Sequence, residues 1–280
     1  MNAEIEYLKI LDEILKFGVP KSDRTNTGNL ELFGRSIRHN YEEGFPLLTT
    51  KKMFSKGIII ELLWFLKNTE DPSYMLENGV HIWDGWMKED ENGKKTLPHT
   101  YGKKWRDFYG CDQVSRLIND LKTNPNSRRH VVSAWDAANV NNAALPWCHI
   151  LWQINVHLDE DKPPEQRKND GKKGDISIAV YQRSADTFLG VSFNLASYSF
   201  LLYMIAEITG YRPKEMYYTF GSIHIYNNHI EQCKLQLTRE PYFLPKLALN
   251  HKDNIDDFVY EDFKILDYNY HPTIKAEVSI

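Results

Sequence analysis

Residues 150–180 decide the fold: they read ILWQINVH (150–157), LDEDKPPEQRKNDGKKGD (158–175) and DISIAV (175–180). The first run is apolar-rich, and the third alternates Ile176, Ile178 and Val180 with smaller residues, so both are typical of strands. Two prolines, two glycines and charges of both signs predict an exposed loop between them. The loop therefore joins two strands of one sheet. No other segment looks like a linker, which predicts a single domain over 1–280.

Outside that stretch, strand and helix patterns occur without strict alternation. Strands are predicted at 30–39 and 130–135, and helices at 5–15, 56–67, 112–122 and 193–209. The last helix should end at Gly210, because glycine is the usual helix terminator. This mixture predicts an α+β fold with a sheet and flanking helices.

Composition excludes several classes of protein. Lys plus Arg is 34 and Asp plus Glu is 38, and the resulting charge of −4 argues against bulk nucleic-acid binding. A hydrophobic content of 42% excludes disorder as the main state. The apolar runs around Glu61 are too short to span a bilayer, and the N-terminus lacks a signal-peptide pattern. The three cysteines lack zinc-ligand spacing, so we expect a cytoplasmic protein without a metal.

The candidate nucleophile is Cys148, in the segment AALPWCH (143–149). A thiolate is the best nucleophile among side chains, and it needs nearby positive charge or polar donors to lower its pKa. The alternative is a small core residue, since free cysteine is commonly buried. The segment by itself leaves both interpretations open.

Several arginines suggest an anion site. Arg128 and Arg129 are adjacent and precede a strand, where forked guanidinium donors can bind a phosphate. For this pair, and for Arg24, a solvated loop is the alternative. Arg183 directly follows the strand-like run at 175–180, and an arginine in that setting needs an anionic partner. That partner is either a phosphate or an acidic side chain.

Other polar and aromatic residues complete the pattern. Glu61 lies in an apolar helix, which favours a buried functional acid over a surface residue. Trp83 and Trp86 can form a stacking wall or simply part of a core. His224 and Tyr226 alternate on a predicted strand, so both can face a sugar hydroxyl. Together these residues indicate a site for an anionic small molecule, with a thiol nucleophile and a flat aromatic wall.

The order of these segments resembles the thymidylate synthase family from residue 23 to residue 280. The resemblance rests on ten motifs in the family's order. They are DRT (23–25), GFPLLTTKK (44–52), ELLWFL (61–66), IWD (82–84), YGK (101–103), SRR (127–129), CH (148–149), YQRS (181–184), FNLASY (193–198) and HIY (224–226). It implies a homodimer of α+β subunits whose mixed sheets pack back to back. It also implies dUMP as substrate and 5,10-methylenetetrahydrofolate as one-carbon donor.

By this resemblance, Cys148 adds to C6 of the uracil, because C5 is a poor nucleophile until C6 is saturated. Asn194 pairs with uracil O4 and N3, since an amide presents one donor and one acceptor. His224 and Tyr226 contact the ribose 3′-hydroxyl. The phosphate would be held by one set of residues, the last two of them donated across the dimer interface: Arg24, Arg183, Ser184, Arg128 and Arg129. These arginines should also favour the Cys148 thiolate.

The resemblance also assigns the proton-transfer and folate residues. The water network that moves protons at O4 and C5 is anchored by Glu61, Tyr101 and His149. Asp186 binds the pterin ring, and Lys51 meets the glutamate tail. The wall of the folate site is formed by Ile82, Trp83, Leu189, Gly190 and Phe193. The C-terminal residues 275–280, including Ala276, close over the ligands and exclude water.

The chain departs from the family pattern at five positions. Trp147 and Ser192 stand where the family has proline, Ser222 where it has aspartate, Asn26 where it has glycine and Gly85 where it has an acid. Three of these departures also occur in phage deoxycytidylate hydroxymethylase. A second hypothesis is therefore a dUMP hydroxymethylase, in which water captures the methylene group to give 5-hydroxymethyl-dUMP. A third is a catalytically inactive dimer that binds nucleotide or its own message.

Overall fold

In the computed structural model, residues 1–89 and 91–279 are described and form helices, strands and connecting loops. The helices are α1 (Ala3–Phe17), α2 (Ser55–Leu66), α3 (Ser73–Glu77), α4 (Tyr101–Arg106), α5 (Gln113–Thr123), α6 (Ser192–Thr209) and α7 (Ile230–Leu237). The strands are β1 (Val19–Lys21), β2 (Asn29–Asn40), β3 (Lys88–Glu89), β4 (Lys95–Thr96), β5 (Val131–Ser133), β6 (His149–Leu158), β7 (Gly174–Asp186), β8 (Arg212–Tyr226), β9 (Lys246–Leu249) and β10 (Phe263–Leu266).

The main sheet has the order β1-β2-β8-β7-β6-β5. Strands β7 and β8 are parallel and the other neighbours are antiparallel, so the sheet is mixed. The predicted pairing of 150–157 with 175–180 is confirmed, because β6 and β7 form one antiparallel pair that starts at Leu158 and Gly174. The predicted α+β class is confirmed as well.

Local sequence explains where the helices begin and end. The Asn2 side chain caps α1 by accepting a hydrogen bond from the Glu4 amide, and the Asp112 side chain does the same for Ser115 in α5. Gly210 ends α6 in the left-handed region at φ 81°, which favours glycine. All four helices predicted from sequence are confirmed to within a few residues at each end.

The strand that carries the candidate arginine is longer than predicted. The sequence suggested a strand that ends at residue 180, with Arg183 in the segment after it. Instead β7 continues to Asp186, paired with β8 up to His224. That prediction is wrong, because the polar residues of YQRS interrupt the apolar alternation but still satisfy the ladder hydrogen bonds.

One face of the sheet packs against helices, and the alternate side chains on the other face are more exposed. In β6, Trp152, Ile154 and Val156 are buried, whereas the alternate residue Asn155 is exposed. The segment Thr187–Thr209, which contains α6, is long and apolar enough to cross a membrane by length and composition, but 78% of its 18-residue apolar stretch is buried here. It serves as the core helix on the covered face.

The charged segment at 158–175 is anchored at its two ends. The Arg212 guanidinium bonds Asp159 at 2.6 Å and Asp175 at 2.8 Å, and Lys162 reaches both carboxylates. Residues 163–171 between these anchors are exposed. The anchors hold the start of β7 in register with its neighbour.

The topology brings the polar residues of four strands to one edge of the sheet. The parallel strands β7 and β8 end there with Asp186 and Tyr226, and the antiparallel strands β6 and β2 begin there with His149 and Asn29. Side chains far apart in the sequence therefore meet around a single cavity.

Candidate active site

A cavity of about 660 Å³ opens at this edge of the sheet. It is lined by most of the residues singled out from the sequence, which come from the nucleophile segment, the arginines, the proton-transfer group and the expected folate wall. They are Arg24, Glu61, Ile82, Trp83, Tyr101, Cys148, His149, Arg183, Ser184, Asp186, Leu189, Gly190, Phe193, Asn194, His224 and Tyr226.

Cys148 lies on the loop that leads into β6 and is held through its backbone. Its amide donates a 2.7 Å hydrogen bond to the Tyr101 hydroxyl, and the His149 amide donates to the same oxygen at 3.3 Å. The Sγ–H donates only a weak bond, of 3.7 Å, to the Pro146 carbonyl. The backbone of Cys148 is therefore fixed in position, and its thiol is not committed to a strong partner.

The charge environment of Cys148 contains two opposing effects. Burial raises the pKa of the thiol above its ordinary value, while Arg183 and Arg24 lower it. Burial outweighs the two arginines in this single chain. The predicted direction of the arginine effect agrees with the structure, but the net pKa shift is upward.

Arg183 connects the strand to the nucleophile loop. Its Nε donates to the Trp147 carbonyl at 2.8 Å, and its Nη2 donates to the Pro146 carbonyl at 2.9 Å. The guanidinium also lies 5.6 Å from the ring of Trp135. The arginine thus fixes the residues on the N-terminal side of Cys148 and still lines the cavity.

Glu61, Tyr101 and His149 form a group suited to proton transfer. Burial raises the pKa of Glu61 to about 7, although the Trp83 indole opposes this with a 2.6 Å hydrogen bond. Burial lowers the pKa of His149 to about 4, against an interaction with Asn194 that raises it. The His149 ring stacks on Tyr101 at 4.8 Å between centroids. At neutral pH the acid titrates and the imidazole is neutral.

Two buried polar residues beside this group were not assigned from the sequence. Gln182 lines the cavity, accepts a 2.9 Å hydrogen bond from the Tyr218 hydroxyl and donates to the Ser184 carbonyl. The Tyr198 hydroxyl is buried without a hydrogen-bond partner among the described residues. Both lie inside the motifs YQRS and FNLASY quoted above. The motifs could therefore have identified them, whereas residue spacing gives no indication of them.

A second group of residues in the cavity lining is suited to stacking on a flat heteroaromatic ring. It is apolar and aromatic, being formed by Ile82, Trp83, Leu189, Gly190 and Phe193. Asp186 lies at its edge and caps the helical turn Thr187–Val191, accepting from Phe188 N at 3.0 Å. An aromatic wall with one carboxylate matches a ring that stacks and donates N–H groups.

Four of the predicted site residues lie outside the cavity. Lys51 is buried against Phe188, bonded to its carbonyl with its Nζ 3.7 Å from the ring centroid, and does not line the cavity. Arg128 and Arg129 are exposed. Ala276 does not line the cavity.

The end of the chain reaches the cavity at two later positions. Val278 and Ser279 line it, and the backbone carbonyl of Glu277 is 2.7 Å from His229 Nε2. Ile280, the last residue of the expected closing segment, lies outside the described residues.

The comparisons with known proteins agree with the resemblance. The family model described as thymidylate synthase matches residues 5–280. A curated protein named thymidylate synthase, from Mycoplasma mobile (strain ATCC 43663 / 163K / NCTC 11711), is 46% identical over 301 residues. The match covers 98% of this chain and 99% of the relative. These findings give no support to the hydroxymethylase alternative.

Proposed function

The chain belongs to the thymidylate synthase family, and we propose from this that it methylates dUMP to dTMP with 5,10-methylenetetrahydrofolate. One observation carries the proposal: a thiol, two guanidiniums, an amide and an aromatic wall line the same cavity. Each of these groups corresponds to a different part of the two substrates.

Cys148 starts the reaction by adding to the uracil ring. After the thiol has lost its proton, the thiolate Sγ forms a bond to C6, the electrons of the C5–C6 double bond move toward C5 and O4, and the ring becomes an enolate. Asn194, at the start of α6 and 9% exposed, is suited to hold O4 and N3 of this ring. An amide held in the orientation that bonds uracil disfavours cytosine, because its NH2 group would then face the amino group of cytosine and its oxygen would face N3.

Glu61 is the best candidate for moving the protons. Its pKa of about 7 allows it to accept and to give up a proton near neutral pH, as general catalysis requires. The Tyr101 oxygen accepts bonds from Cys148 N and His149 N, which leaves the hydroxyl proton to be donated into the cavity. The neutral His149 adds no positive charge there.

The folate wall lies next to the nucleotide groups in one cavity. When bound there, 5,10-methylenetetrahydrofolate supplies the one-carbon group and the hydride. The residues of the chain stack against its ring, orient it through Asp186 and exclude water. Exclusion of water favours hydride transfer over hydration.

Arg24, Arg183 and Ser184 would hold the phosphate, and His224 and Tyr226 the ribose. Two guanidiniums on one dianion provide orientation as well as affinity. The nucleotide therefore lies with its phosphate at the arginines, its sugar along the end of β8 and its base beside Cys148.

We also propose a homodimer through the open face of the sheet. On β7, Arg183 shares its face with Ala179 and Tyr181, opposite the buried Ile178 and Val180. Tyr217 of β8 is 48% exposed on the neighbouring strand. A second subunit packed on this face would lie beside the Arg183 end of the cavity. If the second subunit contributes its exposed arginines to the site, they must extend to this end of the cavity.

The activity is tested by incubating the protein with dUMP and 5,10-methylenetetrahydrofolate. Formation of dTMP with the absorbance of dihydrofolate is expected. A product of 5-hydroxymethyl-dUMP with tetrahydrofolate, or no turnover at all, would contradict the proposal. Cys148→Ser should bind dUMP and form no product, which separates catalysis from mere binding.

The shared site is tested by mixing two inactive variants. One subunit carries Cys148→Ser, and the other carries Arg128→Ala with Arg129→Ala. Hybrid dimers would contain one site with all wild-type groups, so activity should reappear after mixing. The molar mass by light scattering should correspond to two chains. If the mixed dimers remain inactive, Arg128 and Arg129 are not donated across the interface.

A further inference from the structure

A carboxylate on β2 is bonded to one of the residues that depart from the family pattern. The Ser222 hydroxyl of β8 donates a 2.5 Å hydrogen bond to Glu31 Oε2, and Lys21 Nζ donates a 2.8 Å bond to Glu31 Oε1. All three residues line the cavity. None of them has a place in the reaction described above.

The strand register places Glu31 beside a ribose-binding residue. Glu31 and His224 are direct partners across the antiparallel β2–β8 pair. Ser222 precedes His224 by two residues and therefore shares its face of β8. Directly opposite and diagonal residues on one face of a sheet are within side-chain reach. The carboxylate thus lies across the strand pair from the imidazole, with the serine as its diagonal neighbour.

Glu31 is ionised at neutral pH. Its burial would raise its pKa, but the hydrogen bonds from Lys21 and Ser222 outweigh this and lower the pKa below its ordinary value. The side chain of Glu31 is 19% exposed and that of Lys21 is 59% exposed, so the positive charge faces solvent and the negative charge faces the sheet. A fixed anion is therefore held at this position of the cavity.

His224 is an imidazole whose orientation needs to be fixed. It is 7% exposed, and burial lowers its pKa although Asp186, Glu31 and Asp23 raise it. Lys21 acts in the same direction as burial. A neutral imidazole has one donor and one acceptor nitrogen, and the neighbouring charges decide which nitrogen carries the proton.

We propose that Glu31 is a positioning residue, which fixes the His224 imidazole for the substrate's 3′-hydroxyl and is itself fixed by Ser222 and Lys21. This inference rests on the proposed function, because it assumes that His224 meets the ribose. Glu31 favours a proton on the ring nitrogen nearest to it, and the other nitrogen then accepts the hydrogen bond of the sugar hydroxyl. Ser222 is required because an acid at that position would face Glu31.

The proposal is tested by moving the carboxylate from one strand to the other. Glu31→Ser removes the anion, and Ser222→Asp adds a second anion against Glu31. Each variant should raise KM for dUMP about tenfold while kcat changes little. Loss of a hydrogen bond to a charged group typically weakens binding by about this factor. The double variant keeps one carboxylate in the pair, and its KM should return to within about threefold of the wild type. If the increases in KM of the two single variants multiply in the double variant, the proposal is refuted.

A substrate analogue separates positioning from structure. With 2′,3′-dideoxyuridine 5′-monophosphate the 3′-hydroxyl is absent, so Glu31→Ser should leave the affinity of this analogue unchanged. If the variant loses affinity for dUMP and for the analogue by the same factor, Glu31 has a merely structural role and the proposal is overturned. Glu31→Gln removes the charge at nearly constant size and gives the same comparison if the serine variant does not fold.

Glu13→Gln is the matched control. Glu13 lies on α1, accepts a 2.7 Å hydrogen bond from Arg35 of β2 and does not line the cavity. Its removal should leave KM unchanged. Affinities are measured by titration calorimetry as well as by turnover. If the wild type binds dUMP but forms no dTMP, the proposed reaction fails while the positioning of His224 is still decided by the binding data.

Discussion

The indole nitrogen of Trp83 donates a 2.6 Å hydrogen bond to Glu61 Oε1. This bond joins the wall proposed for the folate to the acid proposed for proton transfer. A ligand that shifts the Trp83 ring would therefore also change the pKa of the carboxyl. The two halves of the cavity are coupled through one contact.

Glu61→Gln should abolish dTMP formation and stabilise the protein at high pH. The folded-state pKa of Glu61 is raised from 4.5 to about 7, so ionisation destabilises the folded chain as the pH rises through this window. Relative to the wild type, the free energy of unfolding of the glutamine variant should be higher by on the order of 2 kcal/mol above pH 7 and unchanged below pH 4. This magnitude allows for the partial exposure of Glu61 to the cavity. Urea unfolding at pH 4 and pH 8 measures this; an equal difference at both would contradict it.

Trp83→Phe should shift the titration of Glu61 to higher pH. The indole bond lowers the pKa of this carboxyl, and its loss leaves burial unopposed. The midpoint in the pH profile of kcat reports the shift. Trp86→Phe is the matched control, because the Trp86 nitrogen has no hydrogen-bond partner among the described residues and its ring lies 5.7 Å from that of Trp83. A similar shift in both variants would assign the effect to packing.

Arg24→Met should raise the pKa of the Cys148 thiol further. Burial has already raised it, and Arg24 is one of two cations that lower it. The rate of alkylation by iodoacetamide as a function of pH gives the thiol pKa directly. We expect the wild-type midpoint above the ordinary cysteine value and the variant midpoint above that. An unchanged midpoint in the variant would show that Arg24 does not act on the thiol.

Trp147→Ala should destabilise the protein by about 3–5 kcal/mol, the usual cost of truncating a buried aromatic residue. Trp147 is 1% exposed, donates from Nε1 to the His99 carbonyl at 2.9 Å and has Lys104 Nζ 4.9 Å from its ring. Trp147→Phe keeps most of the packing and loses the bond, so about 1–3 kcal/mol is expected. Chemical unfolding measures both. If the alanine variant is as stable as the wild type, the packing described for this residue is wrong.

The secondary structure was predictable where apolar periodicity is strong. The helix at 193–209 and its Gly210 terminus follow from local preferences, as do the strands on both sides of 158–175. The extension of β7 through Arg183 was not predictable, because its polar residues carry no strand periodicity. They are paired there by the neighbouring strands.

The residue types of the candidate site could be predicted from motifs that occur in a fixed order. Which of these residues line one cavity could be predicted only in part. Lys51 shows the limit: its motif placed it near a folate, but the fold turns its side chain under Phe188. The contact between Glu31 and Ser222 could not be predicted from local sequence, because the two residues lie 191 positions apart.

The sequence by itself determined the class of fold, the family and the residues able to do the chemistry. Those properties depend on local preferences and on ordered motifs, which can be read along the chain. Only the tertiary structure decided which side chains share the cavity, how burial and neighbouring charges set their pKa values, and which face of the sheet stays open. Those properties depend on contacts between distant residues in a common, partly buried environment, where desolvation and hydrogen bonding act together.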